Sequence, residues 1–172
     1  EGAPKTVILD QLDHLRVFDR GGTEIYRSSD RYGGSEIALG YDPGRPGADS
    51  RGGYTQYPQQ KTTMVQGRMY FQDILGDGKK QLIVPKNTPS TGYIFNTRLY
   101  DKGKIFGLRW DGLGIQSVWE TRELPGYVAD YALIDPDGSG NRKLILLVVQ
   151  TNLLGMTKSR SSVVVLDLRP SG

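Results

Sequence analysis

The chain has 172 residues, contains no cysteine and a single histidine, and carries a formal net charge of +3. This composition excludes disulfides, zinc sites built on cysteine and sites with several histidine ligands. The 22 Lys and Arg residues are scattered along the chain, whereas a nucleic-acid interface usually needs a basic cluster. No apolar run approaches the roughly 18 residues of a membrane helix. We therefore expect a single domain with no nucleic-acid partner and no membrane span.

Ten short segments have the character of strands, because they are rich in β-branched and aromatic residues and are separated by clusters of glycine and proline. In chain order they are residues 6–10, 15–19, 23–28, 62–74, 81–85, 104–110, 114–121, 127–134, 143–150 and 161–168. No segment longer than about 12 residues keeps a helical spacing of apolar residues with caps. The sequence therefore predicts an all-β fold of antiparallel strands.

The segment DRGGT at 19–23 joins the second and third of these strands. Gly21 and Gly22 can adopt positive φ values without a steric penalty, and paired glycines of this kind are typical of tight hairpin turns. We therefore predict a β-hairpin centred on these two residues.

Two polar segments, 40–61 and 86–103, interrupt the pattern of strands. A segment as long as the first, without periodic apolar residues, is often a binding loop when it occurs in a compact domain. Tyrosine and arginine side chains suit contact with sugars or protein surfaces. We predict ligand contacts at six such residues, which are Tyr41, Arg45, Tyr54, Tyr57, Tyr93 and Tyr100. The alternative for 40–61 is a mobile insertion with no binding role.

Residues 15–28 and 107–121 share one pattern, in which a strand, a turn of Asp and Gly and a second strand follow one another. An aromatic residue lies near the end of each copy, Tyr26 in the first and Trp119 in the second, and 163–168 would begin a third copy. Acidic loops lie between the copies. The repeating unit is strand, acidic loop, strand, connection, strand, turn, strand. Such a unit cannot bury both faces alone, so neighbouring units must stack.

The acidic loops read DILGDGKKQL at 73–82 and DPDGSGNRKL at 135–144. They resemble the loops of FG-GAP or VCBS repeats in integrin-α-type β-propellers, where Asp or Asn alternates with Gly before an apolar strand. The matching residues are Asp73, Gly76, Asp77, Gly78 and Leu82 in the first loop, and Asp135, Asp137, Gly138, Gly140 and Leu144 in the second. Leu75 stands where that motif has its second Asp or Asn, and Gln81 and Lys143 stand where it has the closing Asp or Glu.

The resemblance covers about residues 62–168 and implies a partial β-propeller of two to three blade-like, four-stranded sheets within one β domain. The segments would be a first partial blade at 1–39, an insertion loop at 40–61, a second blade at 62–126 and a third partial blade at 127–172. A closed propeller usually has four to eight blades. The remainder of a larger propeller or a partner subunit would therefore complete the stack. A mixed sandwich of the same strands is the alternative.

Calcium is the cofactor that the acidic loops suggest, because this ion takes six to eight oxygen ligands. The second loop offers oxygen atoms from Asp135, Asp137, Ser139 and Asn141, and the first offers fewer, from Asp73 and Asp77. The alternative is a turn without metal, in which the aspartates accept hydrogen bonds from loop N–H groups.

Catalytic arrangements have little support in the sequence. His14 has no Ser or Cys partner in a recognisable motif. Glu120 and Glu123 would suit a glycosidase only at a carboxylate separation that a sequence does not give. Trp110 and Trp119 are more typical of core packing between sheets than of a ligand platform.

These observations predict a non-catalytic binding or interaction module that contacts protein or glycan through its long loops. The family resemblance implies a secreted or cell-envelope protein. Two alternatives stay open. The first is a set of structural blades that complete a larger propeller or an oligomer, and the second is an enzyme domain that acts on polysaccharide.

Overall fold

A computed structural model describes residues 3–41, 61–90, 98–136, 138, 142–150 and 159–168. The described residues form three antiparallel sheets and a two-stranded ribbon, without any helix. The predicted all-β class is therefore confirmed. No described segment is a helix of the length and apolar character needed to cross a bilayer.

Thirteen strands make up these sheets. They are β1 (Thr6–Leu9), β2 (His14–Phe18), β3 (Glu24–Arg31), β4 (Ala38–Tyr41), β5 (Lys61–Met64), β6 (Tyr70–Gln72), β7 (Gln81–Pro89), β8 (Tyr100–Trp110), β9 (Ile115–Glu120), β10 (Leu124–Pro125), β11 (Tyr127–Ile134), β12 (Lys143–Gln150) and β13 (Arg160–Asp167). The first sheet has the order β1-β2-β3, and the last sheet has the order β11-β12-β13. The central sheet has the order β6-β7-β8-β9, with the short β10 paired to the start of β8. Strands β4 and β5 form the ribbon.

The hairpin predicted around 19–23 is confirmed, since β2 and β3 pair on either side of it. The Asp19 carboxylate accepts a hydrogen bond from the Thr23 N–H at 2.9 Å, and Gly22 has a φ of 84°. Asp111 closes the turn between β8 and β9 in the same way, because its carboxylate accepts the N–H groups of Leu113 and Gly114 at 2.8 Å. Both turns therefore take their shape from an aspartate that caps free backbone donors.

The structure corrects two predicted boundaries. The single strand expected at 62–74 is two strands, β5 and β6, and residues 65–69 between them are not strand. The segment expected as an insertion at 86–103 is narrower, because β7 continues to Pro89 and β8 begins at Tyr100. The polar residues of this segment led to the prediction of a loop. In the structure, their backbone groups are instead hydrogen-bonded by pairing along the full length of β7 and β8.

The central sheet is covered on both faces, because side chains of a strand alternate between the two sides of a sheet. From β7, Leu82 and Val84 pack toward the first sheet, where they join a cluster with Leu9 and Leu15. Ile83 lies between them in sequence and packs toward the last sheet. Burial of each such side chain stabilises the fold by about 1.5–3 kcal/mol, so both sheet contacts contribute strongly.

The contact between central and last sheets uses the opposite face of the central sheet. Its cluster joins Ile83 and Ile105 of the central sheet to Leu144, Leu146 and Val148 of β12. All five of these side chains are at most 3% exposed. The three sheets are therefore stacked in chain order, with the central sheet in the middle.

Candidate functional site

The central and last sheets repeat one arrangement, which can be followed from the acidic loops. Each loop joins the first strand of its sheet to the second, as β6 to β7 and as β11 to β12. Leu82 and Leu144 stand at the same distance in sequence from the first aspartate of their loop. Both face the preceding sheet, Leu82 the first sheet and Leu144 the central sheet. The two loops therefore occupy equivalent places.

The same equivalence extends to the third strand of each sheet. Leu108 pairs with Leu82, and Leu166 pairs with Leu144. Both Leu108 and Leu166 contact the cluster shared with the preceding sheet. Residues at equivalent positions of the two units therefore lie in equivalent strands and on the same face of their sheets, as stacked blades require.

The opposite faces of the two units differ in what covers them. Ile105 of β8 is fully buried against the last sheet. Its counterpart by register is Val163 of β13, because Ile105 pairs with Pro85 and Val163 pairs with Leu147, at equivalent distances from the two loops. Val163 is 68% exposed.

We call this surface the open face. Its exposed aliphatic residues are Ile134, Leu147, Val163 and Val165. Strand β13 pairs only with β12 among the described residues, whereas the equivalent β8 also pairs with β9. The last sheet thus lacks, in the described part of the chain, both a fourth strand and a covering layer.

The first acidic loop is a self-bonded turn. The two carboxylate oxygens of Asp73 accept hydrogen bonds from the N–H groups of Gly76 and Gly78, each at 2.8 Å. Both glycines have φ values above 70°, a conformation that side chains disfavour. This geometry matches the alternative in which aspartates cap loop N–H groups.

Asp77, the second predicted ligand of that loop, is held by other partners. Its Oδ1 accepts the N–H of Lys79 at 3.0 Å, and Nη2 of Arg109 lies 2.9 Å from Oδ2. These contacts, the backbone hydrogen bond first, lower the pKa of the Asp77 carboxyl below its ordinary value. The carboxylate is therefore ionised and already balanced by a cation.

Gln81 explains how this loop closes without the acid of the family motif. Its side chain is fully buried; Oε1 accepts the N–H of Ile74 at 2.8 Å, and Nε2 donates to the carbonyl of Lys79 at 2.5 Å. Sequence reasoning treated Gln81 as a missing ligand. Its amide instead supplies both a donor and an acceptor, which a carboxylate does not.

The second acidic loop is described only in part. Asp135 is exposed, and Asp137, Ser139 and Asn141 lie outside the described residues. Arg142, at the end of this loop, donates a hydrogen bond to the carbonyl of Asp73, so the two loops lie together at one end of the stack. The described residues contain no group of three His, Cys, Asp or Glu side chains that could hold a metal. Calcium binding stays a prediction.

Most of the predicted ligand contacts lie outside the described residues, namely Arg45, Tyr54, Tyr57 and Tyr93. Tyr41 is the last residue of β4, and its side chain is not described. Tyr100 is only 2% exposed and lies against Gly34, with its ring 6.2 Å from that of Tyr127. The structure therefore places Tyr100 in the interior rather than on a contact surface.

The residues considered for catalysis have structural partners. Nδ1 of His14 lies 2.8 Å from the carbonyl oxygen of Ser28. Glu120 pairs with Lys104 at 2.8 Å, and Glu123 pairs with Lys102 at 3.2 Å.

The two tryptophans pack between sheets, as predicted. Trp119 packs on the cluster between central and last sheets. The ring of Trp110 meets that of Tyr26 edge to face at 5.6 Å.

Sequence reasoning missed two buried polar residues that hold the sheets together. Asp13 is 4% exposed, has a positive φ of 69° and pairs with Arg98 at 3.2 Å. Asn87 is 2% exposed and donates to the carbonyls of Gly34 and Val128, from segments that precede and follow the central sheet. Neither residue lies in a motif that would have distinguished it from an ordinary turn residue.

No protein-family model, no curated protein and no solved structure matches this chain. Its kinship with FG-GAP or VCBS repeats therefore stays a hypothesis. The support for it is the pattern of the two acidic loops and the equivalent places that they occupy.

Proposed function

We propose that the chain is a non-catalytic, β-propeller-like interaction module of a secreted or cell-envelope protein, built from degenerate repeats of the FG-GAP or VCBS type. The observation that carries this proposal is the different burial of two residues at equivalent positions, Ile105 in the central sheet and Val163 in the last sheet. One is buried by the next sheet of the stack, and the other is 68% exposed. A repeat of this kind needs a neighbour on each face.

The open face favours a specific kind of cover, namely a further antiparallel sheet with aliphatic residues at alternate positions. Leu144 and Leu146 cover the central sheet with side chains of this type. A sheet with the same pattern would bury Val163 and Val165 in the same manner, since stacked sheets interdigitate their inner side chains. The remainder of a larger propeller or a partner subunit would supply it, which favours the structural-blade alternative for this face.

The long loops supply a second contact surface, directed to protein or glycan. The ribbon brings the ends of 42–60 together, because Tyr41 pairs with Lys61. Pairing of Pro89 with Tyr100 does the same for 91–97. Both segments are thus anchored on paired strands, and loops on a rigid sheet scaffold are the usual place for binding residues.

The enzyme alternative would be a domain that acts on polysaccharide. It would need a pair of carboxylates aimed at one glycosidic bond. Glu120 and Glu123 are each paired with a lysine of β8, an arrangement that suits ion pairing at a sheet surface better than acid–base chemistry. Interaction is therefore the function that the described geometry supports best.

Light scattering across a range of protein concentrations tests the proposal. We expect the wild-type chain to associate as its concentration rises, because the open face gains a cover. The double variant Val163→Lys and Val165→Lys should stay monomeric, since a lysine ammonium is costly to bury.

The matched control places the same charges on the first sheet, as Ile8→Lys and Ile25→Lys. These residues are 46% and 42% exposed, and the variant should associate like the wild type. A wild-type chain that stays monomeric at every concentration would contradict a cover supplied by a second copy of this chain.

A further inference from the structure

The outer edge of β13 lacks the strand that its equivalents have in the other two sheets. In the first sheet, β2 pairs with both β1 and β3, and in the central sheet, β8 pairs with both β7 and β9. Strand β13 pairs only with β12 among the described residues. We call this outer edge of β13 the free edge. It differs from the open face, because an edge binds through backbone groups and a face through side chains.

Backbone groups of alternate residues point to the free edge. The Leu168 N–H donates to the carbonyl of Arg142 at 3.0 Å, so these two opposite residues form a hydrogen-bonded pair. Such pairs alternate along an antiparallel ladder. The register therefore directs the backbone groups of Leu166 toward β12, and those of Val163 and Val165 away from it. The N–H and carbonyl groups of both valines are thus placed to bond a further strand.

The central sheet shows what the equivalent groups bind when a strand is present. Ile105 is the counterpart of Val163. Its N–H donates to Oγ1 of Thr121 at 3.0 Å, and its carbonyl accepts the Thr121 N–H at 2.9 Å. Thr121 directly follows the last residue of β9. A strand placed on β13 as β9 is placed on β8 would satisfy the same two groups of Val163.

Strand β13 lacks the features that protect natural edge strands from pairing. Such edges are usually blocked by lysine, proline, a bulge or a short length. Strand β13 has eight residues, contains neither lysine nor proline and pairs with β12 without a register shift. By contrast, the edge strand β9 has six residues and a register shift in its pairing with β8. The sequence of β13 is therefore typical of a strand with neighbours on both sides.

Side chains define the kind of strand that the free edge accepts. Trp119 of β9 lies opposite Gly107, and a Cβ at Gly107 would be 3.4 Å from Cε3 of the Trp119 ring. Val165 is the counterpart of Gly107, so a tryptophan opposite Val165 would meet an isopropyl group. A smaller, β-branched residue suits the places opposite Val163 and Val165, and such residues pair favourably across strands.

We infer that the free edge binds an extended segment of a partner polypeptide as a fourth, antiparallel strand, with β-branched residues opposite Val163 and Val165. In strand addition of this kind, main-chain hydrogen bonds supply affinity and alternate side chains supply specificity. A basic residue opposite Asp167 would add a favourable charge pair across the strands. The inference rests on the proposed interaction function and names a partner class for it. It does not need a cover on the open face.

The test uses the synthetic peptide acetyl-Lys-Thr-Val-Thr-Val-Thr-Lys-amide and amide hydrogen exchange in ¹H–¹⁵N spectra of the dilute wild-type chain. In the inferred register, the peptide valines lie opposite Val163 and Val165, and its first lysine lies opposite Asp167. We expect saturable binding that slows exchange of the Val163 and Val165 N–H groups. The N–H groups of Val164 and Leu166, which point to β12, should exchange slowly before and after binding.

N-methylated peptides separate backbone pairing from side-chain contact. Methyl groups on the two valine nitrogens, which face β13 in this register, should weaken binding roughly tenfold or more, because two hydrogen bonds are lost. Methyl groups on two of the threonine nitrogens, which face away from β13, should leave binding close to that of the parent peptide. The two methylated peptides have the same side chains and the same mass, so each is the control for the other.

Variants locate the site on β13. Val163→Pro removes an N–H that points to the free edge and should abolish binding. The ladder to β12 should persist, since proline is tolerated where a strand N–H faces solvent. Val163→Ala keeps the N–H and should weaken binding by at most about fivefold, the scale of one cross-strand side-chain pair. Melting curves establish that each variant is folded. If Val163→Pro does not fold, the methylated peptides and the exchange data still decide the matter.

Four results would overturn the inference. They are no saturable binding at millimolar peptide, equal binding of the two methylated peptides, unchanged exchange at Val163 and Val165 with saturating peptide, and equal effects of folded Val163→Pro and Val163→Ala. Light scattering tests the open face separately. A chain that associates but ignores the peptide loses only the strand at the free edge, and a chain that binds the peptide without associating keeps it.

Discussion

The outer faces at the two ends of the sheet stack both carry ion pairs and exposed aliphatic side chains. The most exposed of these aliphatic side chains lie on the last sheet, since Ile8 and Ile25 of the first sheet are 46% and 42% exposed. On the first sheet, the Arg16 guanidinium pairs with Glu24 and lies 5.2 Å from the centre of the Phe18 ring. Arg27 of the same sheet pairs with Asp10 at 3.5 Å. On the last sheet, Lys143 pairs with Asp167 on the same face as Val163 and Val165, which are 68% and 53% exposed.

The difference in exposure indicates which face would gain more free energy from a cover. Charged side chains with partners on their own sheet tolerate water and gain little from a cover. Aliphatic side chains gain about 25 cal/mol for each Å² removed from water. A sheet edge such as β13, which is rich in valine, is also a known template for pairing. We therefore expect a covering sheet at the open face, where Val163 and Val165 are more exposed than Ile8 and Ile25 of the first sheet.

The largest effect is expected from a pair of truncations at equivalent residues. Ile105→Ala should lower the free energy of unfolding by about 2–5 kcal/mol, because it leaves a cavity in a close-packed core. Val163→Ala should change it by less than about 0.5 kcal/mol in the monomer, as is usual for exposed positions. Urea unfolding at low protein concentration measures both. Equal losses would mean that the open face is already buried within the monomer.

A smaller effect is expected from calcium, through the acidic loop of the last sheet. If Asp135 and Asp137 hold the ion, millimolar calcium should stabilise the chain by roughly 1 kcal/mol, since extracellular calcium-binding modules have dissociation constants near 10⁻⁴–10⁻³ M. Asp135→Ala should abolish the gain in melting temperature. Asp30→Ala removes an exposed carboxylate on the first sheet and should leave the gain intact. An unshifted wild-type melting curve would retire the calcium hypothesis.

Local sequence patterns predicted the elements whose shape is decided locally. The hairpin at Asp19 and Gly22 follows from turn chemistry alone. The strand predicted at 81–85 lies within β7, and the pattern of the two acidic loops predicted their equivalent places. These features need no knowledge of distant residues.

Features that depend on distant partners were not predictable from the sequence. Tyr100 looks like a loop tyrosine, yet it is buried because β8 begins at that residue and lies against Gly34. In the sequence, Gln81 stands where the family motif has an acid. Its role is seen only in the structure, where its side-chain amide bonds the backbone N–H of Ile74 and the carbonyl of Lys79.

The most direct test of the account is the reactivity of a cysteine at the open face, in a chain that has no other thiol. Val163→Cys should react rapidly with a thiol reagent in dilute solution, and its reaction should slow at concentrations where light scattering detects association. Ile8→Cys, on the first sheet, should react at one rate throughout. A Val163→Cys thiol that is protected in the dilute monomer, or whose rate ignores association, would contradict the claim that another sheet covers this face.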